Sequence, residues 1–308
     1  MTTTAFISHR DCHLHDMGSF HPESPARLSA IQDQMIAQGI DMYLSHYEAP
    51  TATFEQLMRV HPASHVERIK RAAPTEGIQH LDPDTAMNPH TWPAAMRAAG
   101  AGVMAVDLVM KGEAENAFCS VRPPGHHCER ENPMGFCFFN NIAVAAQHAL
   151  EAHGLQRVAI IDFDVHHGNG TEDVFKGDER VLMCSFFQHP FYPYSGADNP
   201  ASNMCNVPMA AGMDGEAFRG VVTDIWVPRL NEFKPEMIFI SAGFDAHYED
   251  DMGSMKLVES DYAFATRELM KVAATHCDKR IVSMLEGGYV LTSLARSVVA
   301  HLRTMAEI

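Results

Sequence analysis

The sequence lacks the features that would direct it to a membrane or to an oxidising compartment. No segment approaches the roughly 18 uninterrupted apolar residues of a membrane helix, and the N-terminal stretch MTTTAFISHRDCH has neither the basic nor the apolar region of a signal peptide. The seven cysteines are odd in number and include no C-x-x-C pair, which argues against a disulfide framework and a zinc ribbon. We therefore expect a cytoplasmic protein in a reducing environment, without a membrane segment.

Positive charge is also scarce. Lys and Arg together number 23 against 39 Asp and Glu, which gives a formal net charge of −16, and no run is rich in Lys or Arg. Nucleic acids are bound through basic surfaces, so we expect no direct nucleic-acid partner. A negative field favours cationic substrates, although acidity also serves solubility alone and selects no substrate by itself.

The distribution of apolar residues indicates the fold class. With 308 residues, 46% of them hydrophobic, the chain could form one large α/β domain or two small ones. No linker, repeat or shift in composition marks a boundary, so we predict a single domain over residues 1–308. Buried-strand patterns alternate with helical stretches, which predicts a central, mainly parallel sheet with helices on both faces.

The predicted elements are specific enough to be tested. Strands are predicted near Ala5, Ala117, Val158, Val181, Met237 and Ile281. Helices are predicted over residues 92–110, 141–152, 215–233, 257–276 and 291–305. The Pro- and Gly-rich stretches 15–25 and 189–200 are predicted to be long loops at the rim of the sheet, where binding elements are common.

The most informative segment is DFDVHHGNGT, which begins at Asp162 directly after the strand-like run RVAIID. Asp162, Asp164 and His166 stand at alternate positions, so they would line one face where the strand ends. Two carboxylates and an imidazole suit a divalent cation. The pattern alone is not specific, because di-metal ureohydrolases also use carboxylates and histidines.

Three further polar clusters follow strand-like runs. They are RPPGHH (122–127), SAGFDAH (241–247) and EGGY (286–289). Ligands of an open parallel sheet bind beyond the carboxyl ends of its strands, so all four clusters are predicted to meet at one rim. A lone HH pair is more often a surface or core feature, but the clusters together indicate a metal hydrolase.

In this order, the motifs resemble those of the zinc-dependent histone deacetylase family. The resemblance rests on RPPGHH, GFCFFNN from Gly135, DFDVHHGNGT, SAGFD and EGGY, and it extends back to HPESPARL at His21. The stretch DAHYEDDMG from Asp245 and the asparagine in HHGNG are most similar to the class II branch and its bacterial deacetylase-like relatives. The resemblance implies an arginase-like α/β domain, in agreement with the predicted sheet.

The resemblance also implies a metal site. Asp164, His166 and Asp245 would bind a catalytic zinc ion, and three protein ligands leave a position open for water and substrate. A site this rich in carboxylates would also accept iron(II) or cobalt(II).

The catalytic roles implied by the resemblance follow from what amide hydrolysis requires. His127 would act as general base and acid, while His126, oriented by Asp162, would act electrostatically. The Tyr289 hydroxyl would donate a hydrogen bond to the developing oxyanion. Asn169 stands where class I members have aspartate; as a neutral partner of His127 it would lower the proton affinity of that imidazole.

The substrate tunnel implied by the resemblance is aromatic. Phe136 and Tyr192 match two walls that flank a linear aliphatic chain, and Gly135 would leave room for that chain. Met252 takes a gatekeeper position at which an acidic residue would favour polyamines, so methionine favours acyl-lysine or a neutral acyl chain. A distant amine could still be received by Asp82, Asp84 and the EDD run at Glu249.

The resemblance implies one or two structural potassium ions. The first would be held by Asp162, Asp164, His166, Ser185 and Phe186. The second would be held by Phe175, Asp178, Val181 and Asn203, two of which, Asp178 and Asn203, differ from common class I residues.

Several functions stay open at this stage. The first is deacylation of acetyl-lysine in proteins or peptides, and the second is deacetylation of small acetylated polyamines, for which no clear rim insertion is visible. A non-catalytic acyl-lysine-binding module is disfavoured because every implied metal ligand and the tyrosine are present. A manganese ureohydrolase is disfavoured because a second cluster of metal carboxylates is missing. The oligomeric state, a homo-oligomer included, is left open.

Overall fold

The computed structural model describes residues 3–308 and is built around an extended parallel sheet. The strands are β1 (Thr4–Ser8), β2 (Leu44–Glu48), β3 (Gln79–His80), β4 (Ala86–Met87), β5 (Asn116–Cys119), β6 (Val158–Asp162), β7 (Val181–Gln188), β8 (Met204–Met209), β9 (Met237–Ala242) and β10 (Ile281–Leu285). Eight of them form one sheet in the order β2-β1-β5-β10-β9-β6-β7-β8, and each neighbouring pair is parallel. All six predicted strands are present, and the predicted parallel sheet is confirmed.

The sequence pattern missed two strands of this sheet, and both are its edges. Every residue of β5, β6, β7, β9 and β10 is buried, so these strands are continuous apolar runs. In β2 only Leu44 is buried, and in β8 only Met204. Strand β8 also contains Pro208, whose missing N–H is tolerated at a sheet edge. Edge strands therefore carry too little apolar signal to stand out in the sequence.

Helices cover the sheet as the sequence predicted. They are α1 (Asp11–Leu14), α2 (Ala26–Ala37), α3 (Phe54–Met58), α4 (Ala63–Ala72), α5 (Thr91–Met110), α6 (Asn141–Glu151), α7 (Asn169–Phe175), α8 (Gly215–Gly220), α9 (Val227–Phe233), α10 (Glu259–His276) and α11 (Leu291–Met305), with a 3-10 turn at Asp41–Tyr43. One group contains α5 and α6, and another contains α2, α10 and α11. The predicted helix 215–233 is interrupted by a π-helical segment, Val221–Trp226, because Pro228 at the start of α9 has no N–H for the regular ladder.

Helix α5 is the most apolar helix and packs in the core. By length and composition it could cross a membrane, but 72% of its most apolar window is buried inside the protein. Two glycines let it approach its neighbours closely: a Cβ on Gly100 would lie 2.0 Å from the carbonyl oxygen of Pro50, and one on Gly102 would lie 2.9 Å from Cβ of Ala145. Its hydrophobicity therefore reflects packing within the fold.

The parallel sheet determines where polar side chains gather. Because the strands run in one direction, the segments that follow β5, β6, β9 and β10 emerge at the same edge. These segments contain the four motif clusters. The predicted rim loops 15–25 and 189–200 contain no helix or strand and belong to this region as well.

Candidate active site

The three predicted metal ligands converge beyond the ends of β6 and β9. Asp164, His166 and Asp245 each offer one ligand atom, and these atoms lie within 4.8 Å of one another. Nδ1 of His166 lies 3.1 Å from Oδ1 of Asp164 and 3.1 Å from Oδ2 of Asp245. Burial, together with the charge of Asp164, raises the pKa of Asp245 to about 7. Two mutually repelling carboxylates and one imidazole aimed at a common point are a donor set that fits a divalent cation.

The backbone fixes the orientation of both carboxylates. Oδ2 of Asp164 accepts a hydrogen bond from the N–H of Gly287 at 2.9 Å, and Oδ1 of Asp245 accepts one from the N–H of Val165 at 2.9 Å. A Cβ on Gly243 would lie 2.0 Å from Oδ2 of Asp164, so only glycine leaves room for the carboxylate. Such supporting contacts orient ligands before a metal binds.

Asp162 belongs to a different pair. It is the last residue of β6, and Asp164 and His166 follow in the loop rather than along the strand, so the three side chains do not share one strand face. Oδ2 of Asp162 lies 2.9 Å from Nδ1 of His126. Burial opposes protonation of His126, but Asp162, Asp164 and Glu286 raise its pKa well above the usual value. The three carboxylates therefore favour the protonated form of His126, and Asp162 lies where the sequence prediction that it orients His126 requires.

The second histidine has the opposite electrostatic environment. Nδ1 of His127 lies 2.8 Å from Oδ1 of Asn169, and Nδ2 of Asn169 donates a hydrogen bond to Oε1 of Glu129 at 2.9 Å. Burial lowers the pKa of His127 well below the usual value, and the charges of His126 and His166 add to this effect. A neutral imidazole next to a charged one is suited to accept a proton.

A cavity of about 280 Å³ opens above these groups. It is lined by His127, His166 and Tyr289. All four predicted tunnel residues also line it, namely Gly135, Phe136, Tyr192 and Met252. Three further lining residues, Phe191, Asp84 and Asp251, complete the wall. The structure thus brings the predicted tunnel residues into one cavity with two of the predicted catalytic residues, His127 and Tyr289.

Aromatic rings form much of this wall. Tyr192 meets His127 edge-on with ring centroids 5.2 Å apart, and Phe136 meets Tyr289 edge-on at 5.9 Å. Phe191 stacks on His166 with centroids 5.4 Å apart and planes inclined by 17°. The sequence prediction missed Phe191, whose only signal was its position next to Tyr192.

Gly135 lies where no other residue fits. Its φ is +55°, and a Cβ there would lie 2.5 Å from Cδ2 of His127. Both the backbone conformation and the contact with the imidazole require glycine. The position therefore leaves space for a substrate chain and for the ring of His127.

Glu286 connects three of the motif clusters, a role the sequence did not reveal. Its Oε2 accepts the N–H of Gly125 at 2.7 Å and of His126 at 3.1 Å, and its Oε1 accepts the hydroxyl of Ser241 at 3.2 Å. Burial raises the pKa of this carboxyl to about 7. The first residue of EGGY therefore holds the backbone of the HH pair in place.

Arg27, from the HPESPARL stretch, holds the EGGY loop by donating hydrogen bonds to its backbone carbonyl oxygens. Nε donates to the carbonyl oxygen of Gly288 at 2.6 Å, and Nη2 donates to that of Glu286 at 2.5 Å. Nη1 donates to Glu23 at 3.0 Å, and the guanidinium lies 5.1 Å from the centroid of the Tyr289 ring. This buried network was also missed, because its partners are far apart in the sequence.

The first set of predicted potassium ligands is gathered at the ends of β6 and β7, where Asp162 pairs in register with Ser185. Asp164 and His166 follow Asp162, and Phe186 follows Ser185. A potassium ion at this position stays a prediction.

The carbonyl oxygens of the second set face the side-chain amide of Asn203. Nδ2 of Asn203 donates hydrogen bonds to the carbonyl oxygens of Phe175 at 2.8 Å, Asp178 at 3.1 Å and Val181 at 3.0 Å. Oδ1 of Asn203 accepts the N–H of Gly177 at 2.9 Å, which fixes the orientation of the amide. The three carbonyl oxygens therefore converge on the side-chain amide of Asn203, and a second potassium ion stays a prediction.

Comparisons with known proteins agree with this geometry. A model of the histone deacetylase domain matches residues 21–305. The histone deacetylase-like amidohydrolase of Pseudomonas aeruginosa is 38% identical over 276 residues, which cover 87% of this chain and 72% of that protein. Polyamine deacetylase HDAC10 of Homo sapiens is 34% identical over 323 residues, covering 98% of this chain and 48% of that protein.

A solved structure is similar over the whole chain. The crystal structure of the HDA15 HD domain has a TM-score of 0.94 at 31% identity and covers 100% of this chain and 90% of its own. The resemblance and the predicted fold class are thereby confirmed. The chain belongs to the histone deacetylase family of deacetylases and amidohydrolases.

Proposed function

We propose that this protein is a zinc-dependent amidohydrolase that removes acetyl or other acyl groups from the amine of acyl-lysine side chains. The observation that carries the proposal is one cavity lined by the imidazole of His127, by Tyr289 and by His166, which belongs to a cluster of three candidate metal ligands. Amide hydrolysis requires these three functions together.

Asp164, His166 and Asp245 would hold the zinc ion. When bound, zinc would polarise the acyl carbonyl and acidify a water molecule. The remaining coordination positions would be free for these two molecules, as in a catalytic site with three protein ligands.

The protein's own groups would move the protons. Because Nδ1 of His127 faces Asn169, Nε2 is the atom that takes a proton from the attacking water and returns it to the leaving amine. His126, held as a cation by Asp162, stabilises the negative charge that develops. Desolvation raises the pKa of Tyr289 well above its usual value, so its hydroxyl stays protonated and can donate to the oxyanion.

The wall of the cavity supports a linear acyl-amine as the substrate. Phe136, Phe191 and Tyr192 present aromatic surface to the chain and exclude water from its methylene groups. Met252 adds an apolar contact in the same wall. An acyl-lysine side chain, with its four methylene groups and terminal amide, has the required shape.

A second candidate is an acetylated polyamine, and two observations favour it. The carboxylates of Asp84 and Asp251 line the same cavity as Met252, and the net charge of the chain is −16. A distant ammonium group would be attracted to both. One relative carries the name polyamine deacetylase.

The ratio of kcat/KM for an acetyl-lysine peptide to that for N-acetylputrescine distinguishes the two candidates. The zinc-loaded protein is measured beside Tyr289→Phe, so that only turnover dependent on the site is counted. We expect a high ratio; a low ratio assigns the protein to polyamine substrates. No Tyr289-dependent turnover of either substrate contradicts the proposed function and favours a non-catalytic binding module.

A further inference from the structure

A buried carboxylate outside the metal site joins two segments of the cavity wall. Asp250, only 4% exposed, lies on the segment after β9 that also contains Met252. Its Oδ2 accepts the backbone N–H of Tyr289 at 2.7 Å and of Val290 at 3.2 Å. Its Oδ1 accepts the backbone N–H of Met252 at 3.1 Å. One side chain therefore holds both the tyrosine loop and the gatekeeper segment.

The bonds to Asp250 satisfy the backbone N–H groups of Tyr289 and Val290, which lie at the start of α11. Val290 is the N-cap of this helix of 15 residues, and its own side chain provides no cap. The first N–H groups of a helix lack partners within the helix, and a negative charge is favoured there. Asp250 supplies this charge from a different part of the chain.

Tyr289 is thus fixed from two sides. Arg27 binds the carbonyl oxygens of Glu286 and Gly288 before it, and Asp250 binds the N–H groups of Tyr289 and the following residue. Gly288 has a φ of +115°, a conformation that L side chains rarely adopt, so the turn between these two anchors requires glycine.

We propose that Asp250 is a positioning residue that sets the location of the Tyr289 hydroxyl over the cavity and couples it to Met252. This inference rests on the proposed function, in which Tyr289 donates to the oxyanion. A donor of this kind acts only when its hydrogen bond is aligned with the developing charge, so a small displacement of the loop removes most of its effect. Asp250 itself contacts neither the substrate nor the metal ligands' donor atoms in this scheme.

A double-mutant cycle tests whether Asp250 acts through the tyrosine. The variants are Asp250→Ala, Tyr289→Phe and the combination, each normalised to its bound zinc. We expect Asp250→Ala to lower kcat by roughly 10-fold to 100-fold with a smaller change in KM, and to have almost no further effect once the hydroxyl is gone. An equal loss in both backgrounds overturns the proposal, because a merely structural role lowers both alike.

Two matched variants sharpen the result. Asp214→Ala removes another aspartate cap, the one whose carboxylate accepts the N–H of Ala217 at 3.1 Å on α8. It should lower stability without changing kcat. Asp250→Asn keeps one carbonyl oxygen for the N–H groups of Tyr289 and Val290 and loses the acceptor for Met252, so its kcat should lie between those of wild type and Asp250→Ala.

Amide hydrogen exchange separates failure of this inference from failure of the proposed function. Exchange in residues 286–291 should be faster in Asp250→Ala than in wild type and unchanged in Asp214→Ala. Unchanged exchange in Asp250→Ala overturns the anchoring role even if no substrate is turned over. Faster exchange with no turnover by wild type would retain the anchor and reject the proposed function.

Discussion

Nδ1 of His127 lies 2.8 Å from Oδ1 of Asn169, so the candidate general base is held by a neutral amide. The amide is itself oriented, because its Nδ2 donates to Glu129. The carboxylate of Glu129 therefore reaches His127 only through the Asn169 amide, whereas an aspartate at position 169 would place a negative charge directly beside the imidazole.

An Asn169→Asp substitution should raise the pKa of His127, because a carboxylate stabilises the imidazolium. Only the neutral imidazole accepts a proton, so the acid limb of the kcat/KM profile should move to higher pH. The matched control is Asn231→Asp, since Asn231 accepts a hydrogen bond from His276 at 2.9 Å on the surface. An acid limb that does not move in Asn169→Asp would refute the pairing.

Gly135→Ala should abolish most of the activity. Its new methyl group would meet the imidazole of His127 at 2.5 Å, which displaces the ring or the loop. Gly154→Ala is the control, because Gly154 also has a positive φ, +71°, but nothing lies within 4 Å of its Cβ position. Alanine strains the backbone at both positions. A difference in kcat/KM between the two variants, measured at equal folded fraction, therefore reports the contact between residue 135 and His127. Equal activity of the two variants would contradict the assigned fit.

The central strands of the sheet were predictable from the sequence, and its edge strands were not. Strands such as β6 and β9 are buried on both faces, so each is an unbroken apolar run. The edge strand β8 is half solvated and contains Pro208, and its composition resembles that of a loop. The predicted helix 215–233 ran through Pro228, and the π-helical segment before this proline was not predicted.

In the site, residues with a characteristic chemistry were predictable and their supports were not. Asp164, His166 and Asp245 stand in recognisable motifs at strand ends. Glu286 accepts the backbone N–H of His126, 160 residues away, and Asp250 accepts that of Tyr289, 39 residues away. Such pairings are fixed only by the tertiary structure. The sequence likewise does not specify that the Asn203 amide points at three carbonyl oxygens.

The Asn203 amide bonds to the carbonyl oxygens of the second predicted potassium site, so we expect it to compete with an ion there. Asn203→Ala removes three hydrogen bonds to carbonyl oxygens and should lower Tm in buffer without potassium. The freed carbonyl oxygens should then bind potassium, so KCl should raise the Tm of this variant more than that of wild type. Choline chloride at equal concentration is the control. A second potassium equivalent bound by wild type would contradict this account.

A histidine buried in the core predicts a pH-dependent stability. His301 is fully buried between Thr266 and Ser283, and burial lowers its pKa to about 3. The unfolded chain, with a histidine pKa of about 6.5, binds more protons between these values, so the free energy of unfolding falls as pH falls through this window.

The size of this effect can be measured by urea unfolding. Below about pH 6 the contribution of His301 should approach ~1.4 kcal/mol per pH unit, and His301→Gln should remove that part of the slope. His276→Gln is the control, because His276 is only half-buried and its Nε2 bonds to Asn231 at the surface. An identical pH slope in wild type and His301→Gln would show that His301 takes up no proton on unfolding.

Release of acetate from an acetyl-lysine peptide by the zinc-loaded protein, compared with release by Tyr289→Phe, tests whether this cavity is the active site. Loss of the oxyanion donor should lower kcat by about 100-fold to 1,000-fold while zinc content and folding are retained. Tyr248→Phe is the control, because Tyr248 is 58% exposed and its hydroxyl bonds to Glu249 on the surface. Release that is fast in wild type and in Tyr248→Phe but slow in Tyr289→Phe is the predicted result. Equal release by all three proteins would contradict the assignment of this cavity as the active site.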